Sequence, residues 1–296
     1  MSTGGGTATA VDDAWARHRR YDRVADRSRA RLEAARRANL VLLGVGALLG
    51  ATAAQSGLPD LLQRTTAALA ALVLVVAGVV QRRVLQGDLA RRWTASRAAS
   101  EAIKAEVHRR LAGVAPYASA DRDARLAEKV AAIAEDAAAL DRVVRDVTAD
   151  DEPVPEIGDV ASYTTVRALE QANWHGDKIG EHEQRARRLR LLELVATLAA
   201  AAITAAGALA GAGDLGLWVG VATTVGAAIS AHLDATRHDQ IAGLYSTTER
   251  RLREQIARHE RAEQPDAARF VDAIEDVLAR QNESWVGLLG GIQPRE

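Results

Sequence analysis

Charged residues recur every few positions along this chain, except in four stretches. Residues 38–59, 65–81, 194–213 and 215–233 contain no Asp, Glu, Lys or Arg. Gaps of this length match the ~20 residues that an α-helix needs to cross ~30 Å of hydrocarbon. Residues 67–80, AALAALVLVVAGVV, offer no polar face at all, whereas a buried helix of a soluble protein keeps some polar periodicity. The third stretch is mostly Ala, which is near neutral for insertion, so the third and fourth are expected to insert as a pair. The pattern predicts an all-α membrane protein, with four transmembrane helices as two helical hairpins and long cytoplasmic helices. The competing reading is a soluble bundle with four buried helices.

Arginine placement predicts the orientation. Nine Arg fall within residues 17–37, and Arg82, Arg83, Arg91, Arg92 and Arg97 follow the second stretch. Arg185, Arg187, Arg188 and Arg190 precede the third, and Arg237, Arg250, Arg251 and Arg253 follow the fourth. The turns inside the hairpins are nearly free of basic residues. Both hairpins therefore read as entering and leaving on the cytoplasmic side of the inner membrane. Residues 1–10, MSTGGGTATA, lack the apolar core of a signal peptide, so the N-terminus is expected to stay in the cytoplasm.

The two halves repeat one plan: a basic amphipathic helix, an apolar hairpin, then a charged helix carrying an aromatic residue. Leu40 to Trp93 spans 53 positions and Leu191 to Tyr245 spans 54, the mark of two similar structural units. Residues 88–112 read as one helix stopped by Gly113 and Pro116, and residues 121–146 as another, with Leu126, Val130, Ile133, Leu140 and Val144 at helical spacing. Residues 148–159, TADDEPVPEIGD, are the best linker. Residues 160–190, 239–263 and 266–289 read as helix. The expected division is a flexible tail at 1–12, a first two-span unit at 13–118, a cytoplasmic helix and acidic Pro-containing linker at 119–159, and a second two-span unit at 160–296.

Composition narrows the chemistry. The 296 residues carry a net charge of -1, 3% aromatics and no Cys, with a mean hydropathy of -0.11. The lack of Cys excludes disulfides, thiolate metal sites and a Cys nucleophile. Near-zero net charge argues against a nucleic-acid partner. Phosphate-binding loops, dinucleotide fingerprints, nucleophile elbows and HExxH are all missing, so no catalytic residue, cofactor or metal is expected. Of the seven His, His232 and His238 are six apart and point to different helix faces, while His175 and His182 share a face without a carboxylate set.

Gly46 and Gly50, Gly207 and Gly211, and Gly216 and Gly220 recur at four-residue spacing, which lets membrane helices approach closely. The plain alternative is that Gly is common here. Thr197, Thr204, Thr223 and Thr224 would line a pore or else bond back to their own helices. Trp93, Arg97, Glu101 and Lys104 form one helical stripe, with Arg97 and Glu101 spaced for an ion pair. The bland expectation for that stripe is a solvated, loosely packed face.

These residues carry a resemblance. The order W-x3-R-x3-E-x2-K at Trp93, Arg97, Glu101 and Lys104, followed by Tyr117, resembles the SLATT domain. So does Y-x3-R-x3-Q-x2-W at Tyr163, Arg167, Gln171 and Trp174, with FVDAIEDVLARQNESW, Phe270 to Trp285, resembling the family's closing helix. The layout resembles a tandem, four-span form. The resemblance implies a two-transmembrane effector associated with nucleotide-second-messenger systems. It implies partners among the lipid bilayer, further copies of the chain and nucleotide-signalling proteins. Members are proposed to form pores or disrupt membranes in bacterial conflict and antiphage defence. The alternative is a non-conducting, membrane-anchored scaffold or sensor component.

Overall fold

The computed structural model describes residues 9–55, 58–85, 87–149, 151–210 and 215–290. Gly211 and the turn residues Gly57 and Gly213 lie outside them. The described residues form helices and connecting turns, with no strand among them. The helices are α1 (Ala10–Ala53), α2 (Asp60–Val80), α3 (Leu89–Ala112), α4 (Arg122–Asp136), α5 (Asp141–Arg145), α6 (Val160–Tyr163), α7 (Glu170–Ala210), α8 (Leu215–Thr236), α9 (His238–Glu260) and α10 (Ala267–Gly290). Two π-helical turns, Gln81–Leu85 and Thr164–Leu169, continue α2 and join α6 to α7.

Packing divides the chain into two compact units, and each takes segments from both sequence halves. A charged unit gathers Met1–Ser28, Arg91–Gly180 and Gln240–Glu296; a hairpin unit gathers Arg29–Ala90 and Glu181–Asp239. The repeat read from the sequence thus runs across the packing units.

The hairpin unit holds the uncharged stretches. Four helices are long and apolar enough to cross a membrane. At most 11% of each apolar window is buried, whereas a soluble four-helix core would cover most of it. Leu72 is 59% exposed, Val75 62% and Leu191 60%. This disposes of the soluble bundle, because no domain keeps such a surface in water. Buried positions within the stretches are small or β-branched: Ala51, Ala70, Ala77, Val221 and Ile229. A Cβ at Gly46 would stand 2.7 Å from Leu74 Cδ2, and one at Gly226 would stand 3.5 Å from the Ala196 Cβ. At Gly50, Gly216 and Gly220 a Cβ would meet no atom within 4 Å.

The charged unit has large residues inside. One cluster sets Trp15 and Tyr21 of α1 against Ile103 and Val107 of α3 and Leu126 and Val130 of α4. A second joins Tyr163, Leu252, Phe270, Val271 and Ile274. The helix predicted over 121–146 breaks after Asp136 into a 3-10 turn, Ala138–Leu140, before α5. Three consecutive Ala give that segment little side-chain hold, while buried Leu140 fixes its register. The acidic linker is non-helical but docked. Glu152 accepts from Trp15 Nε1 at 3.1 Å through its carbonyl and pairs with Arg19 at 2.6 Å through its carboxylate. Arg23 donates to the Thr148 carbonyl at 2.9 Å. An Asp159–Ser162 capping box then starts α6, supplying the first orphan N–H groups with partners.

Candidate functional site

The charged unit surrounds a polar core. It begins with helix α3, whose Ala- and Ser-rich face lets neighbouring helices come close. Ser96 and Ser100 are fully buried there. His18 of α1 donates from Nδ1 to the Ser100 carbonyl at 3.0 Å, and Ser100 Oγ lies 2.9 Å from the same nitrogen. One turn further along α1, Asp22 meets Arg97 Nη1 at 2.7 Å, and Arg97 Nη2 reaches Glu101 at 2.6 Å. The stripe expected to be a solvated, loosely packed face is instead a half-buried one packed against α1. Trp93 is 5% exposed and meets Trp285 edge-to-face at 4.6 Å. Helical spacing showed that Trp93, Arg97 and Glu101 share a face; it carried no sign of which way that face points.

The second motif is placed by a π-helical turn. Thr164–Leu169 holds Arg167 in that turn, and such insertions re-aim a side chain within an otherwise regular helix. Arg167 forms a two-pronged pair with Glu275 of α10, Nε to Oε1 at 3.1 Å and Nη2 to Oε2 at 3.0 Å. Both side chains are almost wholly buried, at 2% and 1% exposure. Tyr163 donates its hydroxyl to Glu275 Oε1 at 2.8 Å. Arg167 Nη1 has no protein partner among the described residues. Gln171 accepts from His175 through its carbonyl at 2.7 Å. Trp174 packs against His175 and Tyr245.

The two motifs come together. A cavity of about 230 Å³ has Glu101, Arg167, Glu275, Asn282 and Glu283 in its walls. Burial alone would raise the Glu101 carboxyl, but Arg97, Lys104 and Arg167 outweigh it and hold it at about 2. Burial would also raise Glu275; Arg167 overrides it and keeps that carboxyl below its ordinary range. Burial, then Lys104, pushes His18 down to about 4. Burial, then Arg167, pushes His108 down to about 3. Three carboxylates (Asp22, Glu101, Glu275) thus face three cations (Arg97, Lys104, Arg167), with neutral imidazoles among them. The arrangement is a network of paired charges.

Sequence reasoning did not find Asp22, His18, Glu275 or Glu106. Glu106 accepts from Tyr117 Oη at 2.5 Å and from Arg109 at 2.9 Å. The cross-helix partners of Asp22, His18 and Glu275 lie 75 or more residues away, so no local spacing marks them. It also separated His182 from His238. The structure sets their Nδ1 atoms 2.9 Å apart at the α7–α9 junction of the hairpin unit. Thr197, Thr204, Thr223 and Thr224 are exposed and donate to the carbonyl four residues back on their own helices. Gly207 lies in α7.

Residues 163–285 match the family described as SMODS and SLOG-associating 2TM effector domain 1. The second half of the chain is thus similar to the SLATT-domain family. The matched stretch begins at Tyr163 and ends at Trp285, the first and last aromatic residues of the second motif and its closing helix. Residues 19–124 match a second family, described as a protein of unknown function (DUF4231), and this stretch contains Asp22, Trp93, Arg97 and Glu101. No curated protein and no solved structure matches the chain. The SLATT match takes in Arg167 and Glu275 together, so the buried pair lies inside the family's own segment.

Proposed function

We propose that this protein is a non-catalytic inner-membrane effector that self-associates through its spans and opens a conducting path when triggered. Both termini are cytoplasmic in this reading, and the setting is bacterial conflict or antiphage defence, with a nucleotide-signalling protein as the upstream partner. The observation that carries it is the hairpin unit's uncovered apolar surface, combined with the small size of what that unit buries. Ala51, Ala70 and Ala77 fill close contacts among the helices of one chain. A path would need several chains around an axis. Thr197, Thr204, Thr223 and Thr224 suit its lining: back-bonding satisfies each hydroxyl's donor in lipid while lone pairs still face a water column. The paired charges of the other unit would bias closed against open, since a trigger acts only by binding one state better.

The test is leakage of a small dye from liposomes carrying the purified protein, run beside membrane potential in cells that overproduce it. Depolarisation that Thr223→Leu or Thr224→Leu relieves, with insertion unchanged, supports the reading. Protein that inserts, cross-links only as a monomer and never dissipates the potential with its operon partners present is a scaffold instead. Topology is checked by reporter fusions: an outside reading at Asp151 would overturn the two-hairpin orientation.

A further inference from the structure

Within the hairpin unit, the ends of three uncharged stretches meet around one cavity. Asn39 stands at the start of the first stretch, Gln81 ends the second and His232 lies at the end of the fourth. All three line a cavity of about 210 Å³, together with Arg36, Leu40 and Leu85. That is room for roughly seven waters at ~30 Å³ each. Because charge-free helix begins or ends at this level on three separate elements, the cavity sits at headgroup depth, with polar groups on one wall and leucines on the other.

Arg36 is the cation of the site. Burial pushes it below its ordinary range and Glu33 opposes that, but Glu33 is already held by Arg29 at 2.8 Å. A charge drawn out of water in this way calls for an anionic partner. Asn39 donates to Gln81 Oε1 at 3.2 Å, and its own Oδ1 has no partner among the described residues. Arg36 calls for an acceptor and Asn39 Oδ1 for a donor, which a headgroup phosphate and a headgroup hydroxyl supply together. Basic pockets between membrane helices at this depth accept anionic headgroups.

We propose that this cavity binds the phosphate of an anionic phospholipid, paired with the Arg36 guanidinium, with the acyl chains following the apolar stretch that Leu40 begins. The chemistry recognised is a phosphate with no adjacent cation. A phospholipid is favoured over a soluble phosphate because the pocket's other wall is apolar and its mouth lies where the bilayer begins.

The full-length protein in neutral detergent is titrated with phosphatidylglycerol, with phosphatidylcholine or with inorganic phosphate, and its unfolding temperature is read. Phosphatidylglycerol should raise it at concentrations where phosphatidylcholine does not, by mass action on the folded state. Arg36→Gln should weaken the apparent affinity about fivefold or more, the effect of losing one Arg at a membrane surface. Arg37→Gln, an exposed neighbour outside the cavity, should keep the shift. If Arg36→Gln does not fold, Ala231→Leu carries the test: Ala231 also lines the cavity, so the larger side chain should occupy it with Arg36 intact and abolish the shift. Equal shifts from both lipids, the full shift from inorganic phosphate, equal loss in Arg36→Gln and Arg37→Gln, or a shift retained in Ala231→Leu would each overturn the proposal.

Discussion

The two units of this chain obey opposite rules about what goes inside. In the charged unit, Tyr21, Tyr117, Tyr163, Ile103, Leu126, Leu252 and Ile274 are fully buried. In the hairpin unit, leucine and valine point outward while alanines fill the helix contacts. Water explains the first arrangement, since removing large apolar side chains from it is the main favourable term in folding. Lipid explains the second. Hydrocarbon is as apolar as leucine, so burying leucine gains little, and close approach of small residues holds the helices instead. Charge follows the same division. Arg167 and Glu275 stay inside the charged unit because they are paired and hydrogen-bonded at both ends, whereas the membrane stretches contain no charge.

The sharpest way to break this comparison is to unpair the buried charge. Glu275→Ala should cost about 3–5 kcal/mol, because it leaves Arg167 buried without compensation. The unfolding transition of the charged unit, followed by hydrogen exchange, checks this. Tyr163→Phe removes a single hydrogen bond to the same carboxylate and should cost about 1–2 kcal/mol. If both variants unfold like wild type, the pair is not the core of that unit.

Next in size is a charge placed on the outward face. Val75→Arg should oppose insertion by about 2.5–3.5 kcal/mol, read as loss of protein from carbonate-washed membranes. The same addition on an exposed face of the charged unit, at Glu128, should leave both stability and insertion within about 0.5 kcal/mol of wild type.

Acidification should destabilise the charged unit. His18 and His108 are neutral in the folded state, held down to about 4 and about 3, but titrate near 6.5 when unfolded. Between those values the unfolded chain binds more protons, so stability falls as pH drops from about 6.5 toward 4. Glu101, held at about 2, adds a further loss as pH falls below its unfolded value. Exchange protection of α3 at pH 7 and pH 5 should show the first loss, and His18→Gln should flatten that part of the profile.

The smallest effect distinguishes glycines within the hairpin unit. Gly46→Val should lower thermal stability in detergent, since its Cβ would press on Leu74, whereas Gly50→Val should leave it unchanged in a monomer. A loss at Gly50 on self-association would place that glycine between chains.

The sequence by itself determined the four spans, the helix content, the non-helical linker and the SLATT motifs. These follow from local quantities: runs without charge, 3.6-residue periodicity, and Gly, Pro and Asp placement. It also grouped Trp93, Arg97 and Glu101 on one face. Only the tertiary structure decided that this face packs against α1, that Asp22 pairs with Arg97 and Glu275 with Arg167, and that Glu106 closes on Tyr117. The physical reason is distance along the chain. Asp22 and Arg97 are 75 residues apart, and Arg167 and Glu275 are 108. No helical or turn spacing encodes such a pairing, and an arginine bound for solvent looks the same as one bound for the core. The π-helical turn at Thr164–Leu169 lies in the same class, since TTVRAL contains nothing that forbids a regular helix. What stabilises it is the partner waiting on α10, which the chain supplies more than a hundred residues later.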